Sequence, residues 1–249
     1  MSLPSQNDHP QDWMVPTRLL DLDDPKLRIQ AMRITQLATS ETQKAILIHD
    51  FVKAMPFGCV AGFDHVTAAG VLKAGRGDCH TKGTLFVALL RSVGVPARLR
   101  FVTLPSAFLK GIIDVSNGTI THAIGEVYLD GRWLQTDTYV TDSLLETRAV
   151  ELLASQDGHV GYGIHVRGSH FWDGQHSVYA QYHLSDATSL PVNDWGVAHD
   201  PEHFYRDAAH EDLQRGWLTR VKWLLAAALV NRRVEQIRTQ SGPLSRQPV

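Results

Sequence analysis

The 249-residue chain has only two cysteines, Cys59 and Cys79, too few for a disulfide framework and compatible with a reducing compartment. It has no excess of charge. Twenty-four Lys and Arg against 26 Asp and Glu leave a net charge of −2, so no general affinity for nucleic acid is implied. Residues 1–13 are polar and acidic and lack the apolar core of a signal peptide. The longest apolar run, residues 223–230, is too short to span a bilayer. Neither nucleic acid nor a membrane is therefore expected as a partner, and the cytoplasm is the default location. There is no internal repeat, and the glycine turn at Gly75 and Gly77 lacks the Lys-Ser/Thr ending of a phosphate-binding loop. No CxxC pair is present, and His165, His170 and His176 lack the i, i+4 spacing of a helical zinc motif, so no metal is expected.

What is present is one stretch around which the chain is organised. Gly75-Arg76-Gly77-Asp78-Cys79-His80 reads as a glycine turn ending in a cysteine. Leu85, Phe86, Leu89, Leu90 and Val93 then recur at helical spacing, and Gly94 and Pro96 stop the helix. Cys79 thus stands at or near a helix N-terminus. Unpaired N–H groups and the helix dipole favour an anion there, so a thiolate forms more readily and an oxyanion can be received. The alternative is a small buried core residue, since free cysteine is often buried.

Upstream, residues 1–16 read as a loose lead-in. Pro25 opens a helix carrying Leu27, Ala31 and Ile34. Ser40 with Gln43 three residues on caps a second helix. Residues 57–65 read as a loop and 67–73 as a short helix. Downstream, residues 97–104 read as a strand and 105–118 as an irregular, apolar rim. Residues 121–129 and 132–139 then flank Asp130-Gly131, the strongest short hairpin signal. With these two as the loop, Leu129 faces Arg132 and, counting outward, His122 faces Tyr139. His122 and Asp137 then share one sheet face. A carboxylate that fixes the tautomer of an imidazole, which takes a proton from Cys79, is the arrangement a nucleophile needs. A polar cross-strand pair on a solvated face is the alternative.

These blocks together resemble the transglutaminase-like superfamily. Gly77-Asp78-Cys79, Leu85 to Arg91 and Gly94-Val95-Pro96-Ala97-Arg98 are similar to its cysteine block. Thr121-His122-Ala123, Glu126 to Trp133 and Asp137-Thr138 are similar to its histidine and aspartate blocks. The resemblance covers roughly residues 66–139. It implies a papain-like α+β fold, with a cysteine-bearing helix packed on an antiparallel sheet. It also implies cysteine-dependent acyl chemistry through a thioester, with Cys79, His122 and Asp137 as the catalytic residues and no cofactor. The family includes crosslinkers, peptidases, amidases and acyltransferases, so hydrolase and acyltransferase both stand. A non-catalytic binding or assembly module on the same fold is the competing class. The family often places an oxyanion donor upstream of the cysteine. No tryptophan lies between Trp13 and Trp133, so an indole donor from there is excluded; a side-chain donor from residues 53–62 stays open, and the Cys79 N–H is the donor expected.

Residues 141–154 read as a helix. Residues 158–183, rich in histidine and aromatics, read as strands broken by turns that extend the sheet or cover the cleft. Residues 199–210 read as a surface connection, 213–240 as a long helix and 241–249 as a disordered tail. The expected organisation is a catalytic domain over 1–210, with its core at 40–185, and a helix with a tail over 211–249. The substrate expected is a peptide, a protein or a small acyl compound, and the C-terminal helix can serve packing or a homo-oligomer contact.

Overall fold

The computed structural model describes residues 9–62, 65–113, 118–206 and 217–239, with side chains from 227 onward in the last segment. Four helices come first: α1 (Pro25–Thr35), α2 (Glu41–Ala54), α3 (Ala68–Ala74) and α4 (Cys79–Ser92). Strands β1 (Ala97–Pro105), β2 (Thr119–Leu129) and β3 (Arg132–Thr136) follow, then α5 (Ser143–Ser155). The chain continues through β4 (Val160–Gly161), β5 (Ile164–His165), β6 (Asn193–Ala198), α6 (Pro201–Arg206) and α7 (Trp217–Thr239).

Local chemistry explains the starts and stops. Asp24 caps α1 ahead of Pro25, and Ser40 caps α2 through the Gln43 N–H. The Gln43 side chain reaches back to the N–H of Thr39, one residue before the cap. Thr67 caps α3, and Gly75 ends it in the left-handed region at φ 65°.

Helix α4 runs through the middle of the molecule, with every residue from His80 to Arg91 buried. It lies on one face of an antiparallel sheet of order β3-β2-β1-β6. Because side chains alternate along a strand, Leu99, Phe101, Ala123 and Val127 meet α4 in the main core. Gly125 lets the sheet approach: a Cβ there would stand 2.8 Å from the Phe86 ring and 3.1 Å from Tyr139. Gly125→Ala is therefore expected to destabilise the fold by about 1–3 kcal/mol through overpacking, read as a lower urea midpoint with an unchanged slope. The opposite face carries Val102, Leu104 and Ile124 under Phe108 and Tyr182. It also carries Glu126, which accepts from Arg98 at 2.6 Å and Gln135 at 2.8 Å and is paired with Arg100.

Several elements differ from the sequence reading. The lead-in is tied down: Trp13 is buried, stacks on His199 at 3.9 Å and lies under the Arg98 guanidinium with Trp133. Residues 158–183 do not extend the main sheet as a strand; β4 and β5 form a separate pair, and the segment covers the sheet instead. The fourth strand is β6, paired to β1 with an irregularity between Phe101 and Val102. Residues 201–206 are a helix rather than a surface connection, with Phe204 stacked on Phe101 at 3.8 Å. Helix α7 packs on α5 through Val230, Val234 and Ile237. The tail expected over 241–249 lies outside the described residues.

Candidate active site

Cys79 is the first residue of α4. Asp78 caps the helix by accepting from the Thr81 N–H at 3.0 Å, and Thr81 Oγ1 accepts from the Asp78 N–H at 2.9 Å. The cap fixes the first turn and leaves the Cys79 N–H facing outward from the helix end, where the dipole favours an anion.

The Asp130-Gly131 hairpin forms as its dipeptide demands, with positive φ at both residues (49° and 80°) and Leu129 opposite Arg132. The ladder stops at Gly125 opposite Thr136, earlier than the sequence reading had it. It stops because residues 137–140 turn: the Thr138 N–H meets Thr136 Oγ1 at 3.3 Å and the Val140 N–H meets Asp137 O at 2.9 Å. The turn does not separate the two groups. His122 and Asp137 are both wholly buried, and Nε2 of His122 lies 3.1 Å from Oδ2 of Asp137. The other carboxylate oxygen accepts from the Ala180 N–H at 2.6 Å. The segment that carries Ala180 therefore holds the carboxylate, a tie that no local sequence signal announces.

His122 Nδ1 is buried and makes no regular hydrogen bond among the described residues. A buried, unpaired ring nitrogen calls for an explanation. Besides Asp137, the group that acts on this imidazole is the Cys79 thiol, which favours its charged form. Burial pushes the His122 pKa down, but the Cys79 thiolate and Asp137 outweigh it and raise it to about 9. Burial pushes the Cys79 thiol up, while His80 and His122 draw it down to about 6. The pair is thus a thiolate and an imidazolium at neutral pH.

His80 departs from expectation. A neighbour at i+1 on a helix is expected to point away from the sulfur. Its ring nitrogens do meet Tyr205 Oη at 3.3 Å and Thr121 O at 3.2 Å, yet the ring remains close enough for its charge to favour the thiolate.

Residues 29–138 match the family model of the transglutaminase-like superfamily. That stretch resembles the core of the superfamily. The expected α+β fold, a cysteine-bearing helix packed on an antiparallel sheet in the papain-like manner, is the one observed. Among solved structures the chain is similar to a "putative cysteine protease" from Cytophaga hutchinsonii, at 20% identity and a TM-score of 0.40, over 54% of this chain and 44% of that one. It is also similar to a "putative protease" from Parabacteroides distasonis, at 16% identity and a TM-score of 0.34, over 47% of this chain and 25% of that one. The chain thus matches less than half of the first protein's length and a quarter of the second's. No curated protein matches the chain. Among the described residues no group of three or more His, Cys, Asp and Glu is gathered to hold a metal, and no helix is long and apolar enough to cross a membrane.

The two thiols of the chain should differ in reactivity. At pH 7 a thiol drawn to about 6 is mostly thiolate, whereas an ordinary thiol holds a few per cent. Limited iodoacetamide treatment of the folded protein, read by peptide mapping, is expected to label Cys79 well before Cys59. Preferential labelling of Cys59 would overturn the assignment.

Proposed function

We propose that this transglutaminase-like protein is an enzyme that performs cysteine-dependent acyl chemistry through a thioester, with Cys79 as nucleophile, His122 as acid and base, and Asp137 as the group that orients His122. The observation that carries the reading is the line of contacts from Asp137 Oδ2 to His122 Nε2, with the remaining ring nitrogen left for a thiol at a helix N-terminus. Each group has the role its place allows. The Cys79 thiolate attacks a carbonyl carbon of an amide, ester or thioester, and the electron pair moves onto the carbonyl oxygen. The Cys79 N–H and the helix dipole stabilise that oxyanion. His122 gives its proton to the leaving group as the carbonyl re-forms. Water or an amine then attacks the thioester, His122 takes the proton from it, and the thiolate is released. Asp137 keeps Nε2 occupied, so Nδ1 faces the reacting atoms.

The substrate class is a peptide, a protein or a small acyl compound. Hydrolysis is favoured over transfer because water is always present, and an acceptor site that excluded water would reverse the preference. A cytoplasmic protein without nucleic-acid or membrane partners suits the near-neutral charge. A homo-oligomer contact, if one forms, is assigned to α7, whose Leu229 is exposed. A binding module that had lost turnover would be marked by a missing member of the triad, and none is missing.

Incubation with p-nitrophenyl acetate and with a peptide and metabolite library, followed by intact mass, tests the reading. An acyl adduct on Cys79 that disappears on addition of an amine or with time supports it. No adduct from any acyl donor, on a protein with a native spectrum, would favour the binding module.

A further inference from the structure

Lys82 stands three residues beyond Cys79 on α4 and is wholly buried. Its Nζ donates to the carbonyls of Tyr139 at 2.8 Å and Val140 at 2.9 Å. Lys53 of α2 donates to the neighbouring carbonyls of Thr138 at 2.9 Å and Thr141 at 3.4 Å, and pairs with Glu146 at 2.9 Å. Four consecutive carbonyls immediately after Asp137 therefore point at two lysines. Lys53 has a carboxylate beside it. Among the described residues, none is in ion-pair contact with Lys82. Burying an ammonium on carbonyls alone is costly, though an apolar side chain would leave both carbonyls unpaired. Satisfying the two carbonyls explains a donor here but not why this stretch of backbone is the one gripped.

Its location does. The turn that Lys82 grips is the one that ends β3 and brings Asp137 beneath His122. We propose that Lys82 is a positioning residue for the catalytic pair: by holding the carbonyls of residues 139 and 140 it keeps Asp137 on Nε2 of His122. The helix that carries the nucleophile thereby also fixes the group that orients the base. This rests on the triad proposed above. His80 makes the matching tie on the other side, since its partner Thr121 O belongs to the residue before His122. Burial pushes the Lys82 pKa down to about 7, against Asp142 and Asp78, which raise it, and Lys53 and Arg238, which lower it further. The grip does not depend on the charge. A neutral amine keeps two N–H donors, matching the two carbonyls.

The test is the titration of His122 in the full chain, by NMR of histidine-labelled protein, with the resonance assigned by its absence from His122→Gln. The charged groups facing His122 are Asp137 and Cys79, and His80 faces Cys79. The native value is about 9. Lys82→Met is one heavy atom shorter and cannot donate. If Lys82 positions Asp137, the carboxylate withdraws and the His122 pKa falls by about one unit or more. If Lys82 were only a nearby cation, its removal would raise the pKa. The two roles thus differ in sign. Lys82→Gln has the same reach as Met but keeps a donor, so its fall should be smaller. A rise or no change in either folded variant overturns the proposal. So does failure of both to fold, which would assign Lys82 to stability alone. A native His122 that titrates near the ordinary histidine value would instead count against the triad, not against this tie.

Discussion

Replacing His122 with alanine is expected to lower acylation of Cys79 by a factor of about 100 or more, the usual contribution of a general acid–base residue. Two losses combine. The group that moves protons disappears, and so does one of the charges that draw the thiol down to about 6. At pH 7 the thiolate then becomes a minority species as the thiol moves back towards its ordinary range. The rate of p-nitrophenolate release in the first turnover measures the effect, and circular dichroism shows whether the fold is kept. A folded variant that acylates at nearly the native rate would remove His122 from the mechanism. His80→Leu, by contrast, should lower acylation less, since it removes a charge that favours the thiolate but not the group that moves protons.

Asp137→Asn should be almost as damaging, for a reason that the surroundings dictate. The Ala180 N–H donates to one carboxylate oxygen at 2.6 Å. In the variant the amide oxygen must occupy that place, so the NH₂ faces His122 Nε2. Nε2 must then accept, which puts the ring proton on Nδ1, facing Cys79. The imidazole becomes a donor where a base is needed. Turnover should fall by roughly two to four powers of ten with little change in KM, the pattern expected when an interaction is lost mainly in the transition state. The same amide carries no negative charge, so the His122 pKa should drop from about 9. A variant in which kcat holds while KM rises would contradict the orienting role.

The pH behaviour of the pair separates reactivity from stability. Cys79 has its pKa lowered on folding, so it contributes stability that increases as pH rises from about 6 towards its unfolded value of 9.0. His122 has its pKa raised from 6.5 to about 9, so its contribution is complete below 6.5 and is lost as pH rises through that window. Between about 6.5 and 9 the folded pair holds one proton, on His122, and the unfolded pair also holds one, on Cys79. The two slopes cancel. Alkylation of Cys79 should therefore rise with a midpoint near 6, while unfolding free energy shows little slope from this pair. A single alkylation midpoint in the ordinary thiol range would argue against the ion pair.

How legible this was depended on the range of the interaction. Capping, the glycine stops and the Asp130-Gly131 hairpin are local, and their residues announce them. The nearness of His122 and Asp137 was expected from the hairpin register but has another cause: the ladder ends at Gly125 opposite Thr136, and the turn after Thr136 brings Asp137 to His122. β6 was not readable: Asn193, Asp194 and Gly196 are poor strand formers, and the segment is held as an edge by pairing with β1. Nor was burial of Trp13, whose partners are Arg98, Trp133 and His199. The ties on Asp137 from Ala180 and on its turn from Lys53 and Lys82 join residues from 43 to 85 positions apart. No periodicity or local propensity encodes such meetings.

One such meeting bears on how the protein comes into being. The segment before Cys79 pairs with residues 56–58: Gly77 N–H meets Pro56 O at 3.2 Å and Gly58 N–H meets Gly77 O at 3.0 Å. That segment is held in turn by α7. Asn231 grips the backbone of Cys59 with both ends of its amide, at 2.8 and 3.0 Å, and Arg238 bonds Phe57 O at 2.9 Å. Asn231 lies 172 residues after Cys59, and at the usual pace of synthesis it follows about 10–30 s later. On the ribosome the residues matched to the family model, 29–138, are made before the helix that braces the turn ahead of Cys79, so that turn gains its brace only after its own neighbours in sequence have been synthesised.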